Sequence, residues 1–152
     1  MQLQKESRYG LRLMMVLALH QSDGAIQMRY IAEALGVSQM YLCKIAHKLR
    51  KAKVIVGFRG SHGGYRLARP ASEITVGELV RCLEDTPTLT RCIMNPSLCA
   101  NASCCMSRKI WQKGQEAMYR VFDACTLDKL VEERDDPQWK EAMLHTAPCL
   151  QR

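Results

Sequence analysis

Four thiols crowd one stretch of this chain. Of its eight cysteines, Cys92, Cys99, Cys104 and Cys105 fall within 14 residues, whereas Cys43, Cys82, Cys125 and Cys149 are scattered. Clustered thiols outside an oxidising compartment more often bind metal or sense redox state than form structural bridges. Zinc sites bring their ligands in close pairs, and no CxxC occurs here. Spacings of seven from Cys92 to Cys99 and six from Cys99 to Cys105, in a loop running into a helix, better suit an iron-sulfur cluster. The free N–H groups of that helix's first turn would stabilise the negative charge of a thiolate-held cluster. Cys104 is an alternative third thiol or a fourth ligand. Thiols so placed are also candidates for a disulfide or sulfenate switch.

The scattered cysteines read as small packing residues, because free Cys is among the more buried residue types. The N-terminus, MQLQKESRYG, lacks the basic and apolar regions of a secretory leader. The longest strongly apolar run, Leu13 to Leu19, is too short to cross a bilayer. The expectation is a cytoplasmic protein with no membrane association.

The thiols need a scaffold, and 152 residues that are 47% hydrophobic can bury a core. Residues 8–20 carry apolar side chains at helical spacing and stop at Gln21 to Gly24. A second helical pattern follows at Met28, Ile31, Ala32 and Leu35. Gly36 turns the chain, and Ser38 is a good N-cap for a third helix with Leu42, Ile45, Ala46 and Leu49 inward. Val54 to Val56 and Tyr65 to Leu67 read as two strands joined by the glycine-rich FRGSHGG, a β-hairpin wing. A fourth helix spans Thr75 to Leu83. Residues 85–103 read as a loop. From about Cys104 a long helix repeats Ile110, Trp111, Ala117, Met118, Val121, Phe122 and Cys125 at spacings that suit a dimerisation seam. A short helix, Thr126 to Glu133, precedes a weakly specified tail.

The fold class is therefore mainly α: a winged helix-turn-helix domain with a two-stranded β wing plus a long dimerisation helix. Its parts are expected at 1–84 for the winged domain, 85–103 for the cysteine loop, 104–133 for the dimerisation and following helices, and 134–152 for the tail.

The charge of +7 conceals a division. Residues 1–70 carry 12 Lys/Arg against 3 Asp/Glu, and residues 71–152 carry 10 against 12. A surplus confined to the helix-turn-helix half marks a surface that neutralises phosphates. On the third helix, Tyr41, Lys44, Lys48 and Lys51 form a stripe opposite the apolar face. Residues near the start of such a helix reach base edges, and lysines further along meet phosphates. Gln39, Met40, Tyr41 and Lys44 are the candidates for base contact, and Lys48 for phosphate. Arg59 at the hairpin tip suits a narrow minor groove. His62 has no assigned role.

The matching text SRYGLRLMMVLAL, IAEALGVSQMYLCKIAHKLRKAKVI, RGSHGGYRLARP, ITVGELVRCLE and TLDKLVEE, covering residues 1–133, resembles the Rrf2 family of bacterial winged-helix regulators. That family includes IscR-type cluster sensors, NsrR-type nitric oxide sensors and CymR-type cysteine regulators, and the three-cysteine loop selects the cluster-binding branch. The resemblance implies a homodimer paired through its long helices on palindromic double-stranded DNA. It also implies a 2Fe-2S or 4Fe-4S cluster on Cys92, Cys99 and Cys105, and DNA reading by Ser38, Gln39, Tyr41 and Lys44 with Arg59 in the wing. Where IscR-like members place a ligating His this chain has Arg108, and where NsrR-like members place an acidic residue it has Arg8. Cys104, the partner's Glu6 or a small exogenous group are the options for the fourth ligand.

Two other functions compete. One is DNA binding controlled by a cluster-free thiol switch. The other, from a different class, is a metal or cluster carrier without a DNA role. An enzyme is not expected, because no base, nucleophile and orienting residue occur together.

Overall fold

The structure, a computed structural model, describes residues 3–60 and 63–132. Three helices build the first layer: α1 (Lys5–Leu19), α2 (Met28–Ala34) and α3 (Gln39–Lys51). α1 buries Leu13 to Leu17 without interruption, so its C-terminal half is enclosed on every side, which explains its irregular apolar spacing. Gly10 lets the same helix approach its neighbours closely, because a Cβ there would lie 2.3 Å from Leu83 Cδ1 and 3.3 Å from Ile45 Cγ2. Gly36, at φ 63°, makes the turn between α2 and α3. Ser38 then caps α3, its Oγ accepting the Tyr41 N–H at 3.3 Å.

The wing pairs β1 (Ile55–Phe58) with β2 (Gly64–Leu67) in antiparallel register, Ile55 opposite Leu67 and Phe58 opposite Gly64. Ile26 adds a single antiparallel bridge to Tyr65, exchanging backbone hydrogen bonds of 2.9 and 2.8 Å. This edge explains Gly64, where a Cβ would sit 2.4 Å from the Ile26 carbonyl oxygen. Thr75 caps α4 (Val76–Leu83). α4 packs on α1 and α3 through Leu79 and Leu83, closing a core shared with Ile31, Leu42, Ile45 and Leu49.

Residues 85–103 are more ordered than a plain loop. They contain a one-turn helix, α5 (Arg91–Met94), and a 3₁₀ turn at Pro96–Leu98. Neither is long enough to show an apolar period, and this left both invisible to pattern reading. The long helix, α6 (Met106–Ala124), begins just after Cys105, which is its N-cap. α7 (Leu127–Glu132) ends the described fold. Val76 N–H donates to the Cys125 carbonyl at 2.9 Å and Leu127 N–H to the Ile74 carbonyl at 3.0 Å, so the chain returns to the winged domain. Leu127 is fully buried in that first core. Cys149, His62 and the tail at 134–152 lie outside the described residues.

Candidate DNA-reading surface and cysteine loop

α3 advances about 100° per residue. With Leu42, Ile45, Ala46 and Leu49 inward, the opposite face carries Met40, Lys44, His47 and Lys51, all exposed, with Ser38 and Gln39 exposed at its start. Met40 is 74% exposed, a methionine held in solvent at the end of the helix that would meet base edges. Lys44 is therefore placed on this exposed face.

Tyr41 and Lys48 are not. Both sit on the flank of α3 that faces α1. The Tyr41 ring meets Tyr9 edge-on with centroids 5.8 Å apart, and its hydroxyl is buried with no hydrogen-bond partner among the described residues. Burial, then the nearby Glu6 charge, pushes the phenol's pKa up. Lys48 Nζ forms an ion pair with Glu6 Oε2 at 2.5 Å and lies 3.4 Å from both Asp85 Oδ1 and the Leu83 carbonyl. The hydrogen bond to Glu6 holds its ammonium above the ordinary lysine range. The stripe of Tyr41, Lys44, Lys48 and Lys51 is thus split between two faces. Spacings of three and four fit either flank of a helix, and only the position of α1 decides between them.

His47 and Arg50 are the basic residues of α3 that the stripe leaves out. Both are exposed, and a helical projection centred on the apolar positions would have placed them. Arg59 is exposed in the wing, where Arg66 also lies over the Phe58 ring at 4.9 Å.

The cysteine loop is seated on α6 by three side chains of that helix. Tyr119 Oη donates to the Pro87 carbonyl at 2.9 Å, Gln115 Oε1 accepts the Leu89 N–H at 3.0 Å, and Arg108 Nε donates to the Cys92 carbonyl at 3.0 Å. Cys105 Sγ accepts the Arg108 N–H at 3.4 Å, the N-cap bond of α6. Cys92 is half-buried, with Sγ 3.3 Å from Thr90 Oγ1; Cys99 and Cys104 are exposed. Arg108 therefore touches both Cys92 and Cys105. Among the described residues, no three His, Cys, Asp or Glu side chains lie close enough together to hold a metal ion. None of the four thiols is in a disulfide. The chemistry of the donor set, four free thiols in one loop, still fits an iron-sulfur cluster.

Of the scattered cysteines, Cys43, Cys82 and Cys125 are half-buried against the cores. Burial pushes the Cys82 thiol up to about 11, which keeps it protonated and inert at neutral pH. Glu6, an option for the fourth ligand, is the residue engaged by Lys48.

The seam of α6 also divides. Met118 and Phe122 turn inward with the buried Tyr119 onto Val76 and Val80 of α4. Met106, Ile110, Ala117 and Val121 point outward, with Ile110 59% and Val121 67% exposed. At the C-terminal end of this outward face, Ala117, Val121 and Ala124 line an apolar groove flanked by Arg120 and Lys129.

A helix-turn-helix followed by a glycine-rich wing is the architecture of winged-helix transcription regulators. A family model described as "Rrf2: Iron-dependent Transcriptional regulator" matches residues 3–133, and the chain belongs to that family, whose members bind DNA. It is similar to "Protein rrf2" of Nitratidesulfovibrio vulgaris, 37% identical over 133 residues that cover 88% of this chain and 89% of the relative. Among solved structures, T. potens IscR superposes with a TM-score of 0.73 at 28% identity, covering 91% of each chain. CymR, the global cysteine regulator of B. subtilis, superposes with the same TM-score and identity over 89% of this chain and 99% of its own. Its relatives are regulators, not enzymes, and no described helix is long and apolar enough to cross a membrane.

Proposed function

We propose that this regulator acts in the cytoplasm as a homodimer on palindromic double-stranded DNA, and that its affinity is set by an iron-sulfur cluster held by Cys92, Cys99 and Cys105. One observation carries the cluster reading: Arg108 fastens both the Cys92 segment and the Cys105 thiol to the first turn of α6. Two of the three donors are thereby tied to one rigid element, and Cys99 lies on the exposed segment between them. Cys104, exposed beside Cys105, is the fourth thiol of the set. When bound, a cluster supplies thiolate-iron bonds that iron supply, nitric oxide or oxidants can break. The chain's own part is to present the thiols, with α6's free N–H groups facing their negative charge.

The outward apolar face of α6 supports the homodimer, since a second copy would cover it. DNA reading falls to Ser38, Gln39, Met40 and Lys44 in the major groove, with Lys51 on phosphate and Arg59 in the minor groove. Tyr41 and Lys48 act behind them, holding α3 against α1.

Protein purified without oxygen should be brown and should carry iron, and Cys92→Ala or Cys99→Ala should remove the visible absorption. Mössbauer spectra would identify the cluster type. Colourless, iron-free protein from iron-replete cells would exclude the cluster.

The exposure of Cys99 and Cys104 favours a second reading, a cluster-free thiol switch. Mass spectrometry after oxidant treatment should then find a bridge among Cys92, Cys99, Cys104 and Cys105, and its absence would reject that reading.

A further inference from the structure

A polar cleft of about 420 Å³ lies between the wing and α3. Its walls combine Arg50 of α3 and Arg59 of the wing with the main chain of Gly57, Gly60, Gly63 and Gly64. The glycines keep side chains off the backbone here, and at Gly63 a Cβ would lie 2.4 Å from the Phe58 carbonyl oxygen. Arg50 occupies the flank of α3 opposite Lys48 and faces the wing, where Lys48 faces α1. Among the described residues, the basic side chains in ion pairs are those of His20, Lys48, Arg69 and Arg81, so Arg50 and Arg59 have no carboxylate partner among them.

Two guanidinium groups lining one polar cleft, with no carboxylate beside them among the described residues, attract an oxyanion. Guanidinium groups match phosphate oxygens in charge and in geometry. The cleft opens beside the helix that enters the major groove and the wing that follows the minor groove, so a backbone phosphate between the grooves is the anion in reach.

We infer that the cleft is a phosphate seat, in which Arg50 takes one phosphodiester of the operator while Arg59, on the wing side of the cleft, enters the minor groove beside it. The inference rests on the DNA-binding reading and adds a contact that positions the duplex without reading its sequence. It makes Arg50 a phosphate ligand.

The test uses full-length protein and two duplexes, one selected from a random library by the wild-type protein and one of unrelated sequence. Binding is measured by fluorescence anisotropy across a salt series. Arg50→Met should weaken binding to both duplexes by a similar factor, about tenfold, and should lower the slope of log K against log salt by about one. Arg50→Lys should restore the slope. Replacing phosphates of the selected duplex singly by neutral methylphosphonate should reveal one position per half-site that weakens the wild type and leaves the Arg50→Met protein unaffected. An unchanged slope, a changed sequence preference or the absence of such a position would overturn the phosphate seat. If the wild-type protein shows no salt-dependent binding to either duplex, the DNA-binding reading itself fails. Arg50 is exposed, and matching circular dichroism and melting curves would establish that the variants fold.

Discussion

Lys48 of the reading helix closes on Glu6 of α1, with its ammonium 2.5 Å from the carboxylate and Asp85 at 3.4 Å on its other side. One residue away, Glu84 is buried and accepts hydrogen bonds from the Gln4 N–H, at 2.9 Å, and from the Ser7 hydroxyl. The end of α4 therefore holds both the start of α1 and the reading helix, directly where the cysteine loop departs.

Breaking the Lys48–Glu6 pair should cost little stability. Both groups are about a third exposed, and pairs in that setting contribute roughly 0.2–1 kcal/mol. A double-mutant cycle of Lys48→Met and Glu6→Gln in urea should return a coupling in that range. The lysine's folded pKa is raised, so the contribution is fully present below its unfolded pKa near 10.5 and fades as pH rises through the higher folded value. A coupling that grows above pH 10.5 would contradict this assignment.

Tyr41→Phe should be neutral to mildly stabilising, within about 1 kcal/mol, because the hydroxyl it removes is buried without a partner among the described residues. Sequence preference should not change. A shifted preference in a selection experiment would return Tyr41 to the base-reading set.

Gly10→Ala places a methyl against Leu83 and Ile45 in the packed core. The helix-propensity gain of about 1 kcal/mol opposes an overpacking cost of about 1–3 kcal/mol. Leu83 and Ile45 are buried and have little room to give, so the net effect should be a loss of about 1 kcal/mol, visible as a lower Tm.

Arg81 grips Asp123 with two bonds of 2.7 Å and lies over the Tyr119 ring at 4.1 Å, tying α4 to α6. The guanidinium holds the Asp123 carboxyl below its ordinary range. A depressed folded pKa gives stability that is present above the unfolded value of 3.8 and lost as pH falls through the folded one. Wild-type stability should therefore fall more steeply than that of Asp123→Asn below about pH 4. Parallel curves in acid denaturation would show that the pair contributes nothing.

Val121→Arg puts a charge into the outward face of α6, where the side chain is 67% exposed in the single chain and packs no core. Light scattering should report a monomer with an unchanged circular dichroism spectrum, and operator affinity should fall by at least about tenfold as the two reading helices separate. A Val121→Arg protein that remains a dimer would move the interface elsewhere.

The winged domain was legible because each of its elements carries its own local signal: Ser38 and Thr75 as caps, Gly36 in the turn, and the glycines of the wing. The faces of α3 and α6 were less so. Tyr41 and Lys48 border the apolar arc of α3 and bury only because α1 lies there. Met118 and Phe122 share a spacing of four with Ala117 and Val121, and only α4 separates the inward pair from the outward one. Arg50 escaped notice for the same reason, since its significance depends on a wing that lies beyond the helix itself. The thiol cluster was plain in the sequence, whereas its seating by Arg108, Gln115 and Tyr119 involves residues 16 to 32 positions from their partners.

That seating bears on the entropy of ligand capture. Bonds at Pro87, Leu89 and Cys92 fix the incoming segment to α6, and Cys105 is fixed as its cap, so the stretch not tied to α6 by these bonds runs only between Cys92 and Cys105. Loop closure grows costlier with length, and a short span with anchored ends has lost most of its freedom before anything binds. Under the proposed ligation, bringing Cys99 to a cluster would then be a local rearrangement of one exposed segment, and the winged domain would not need to refold.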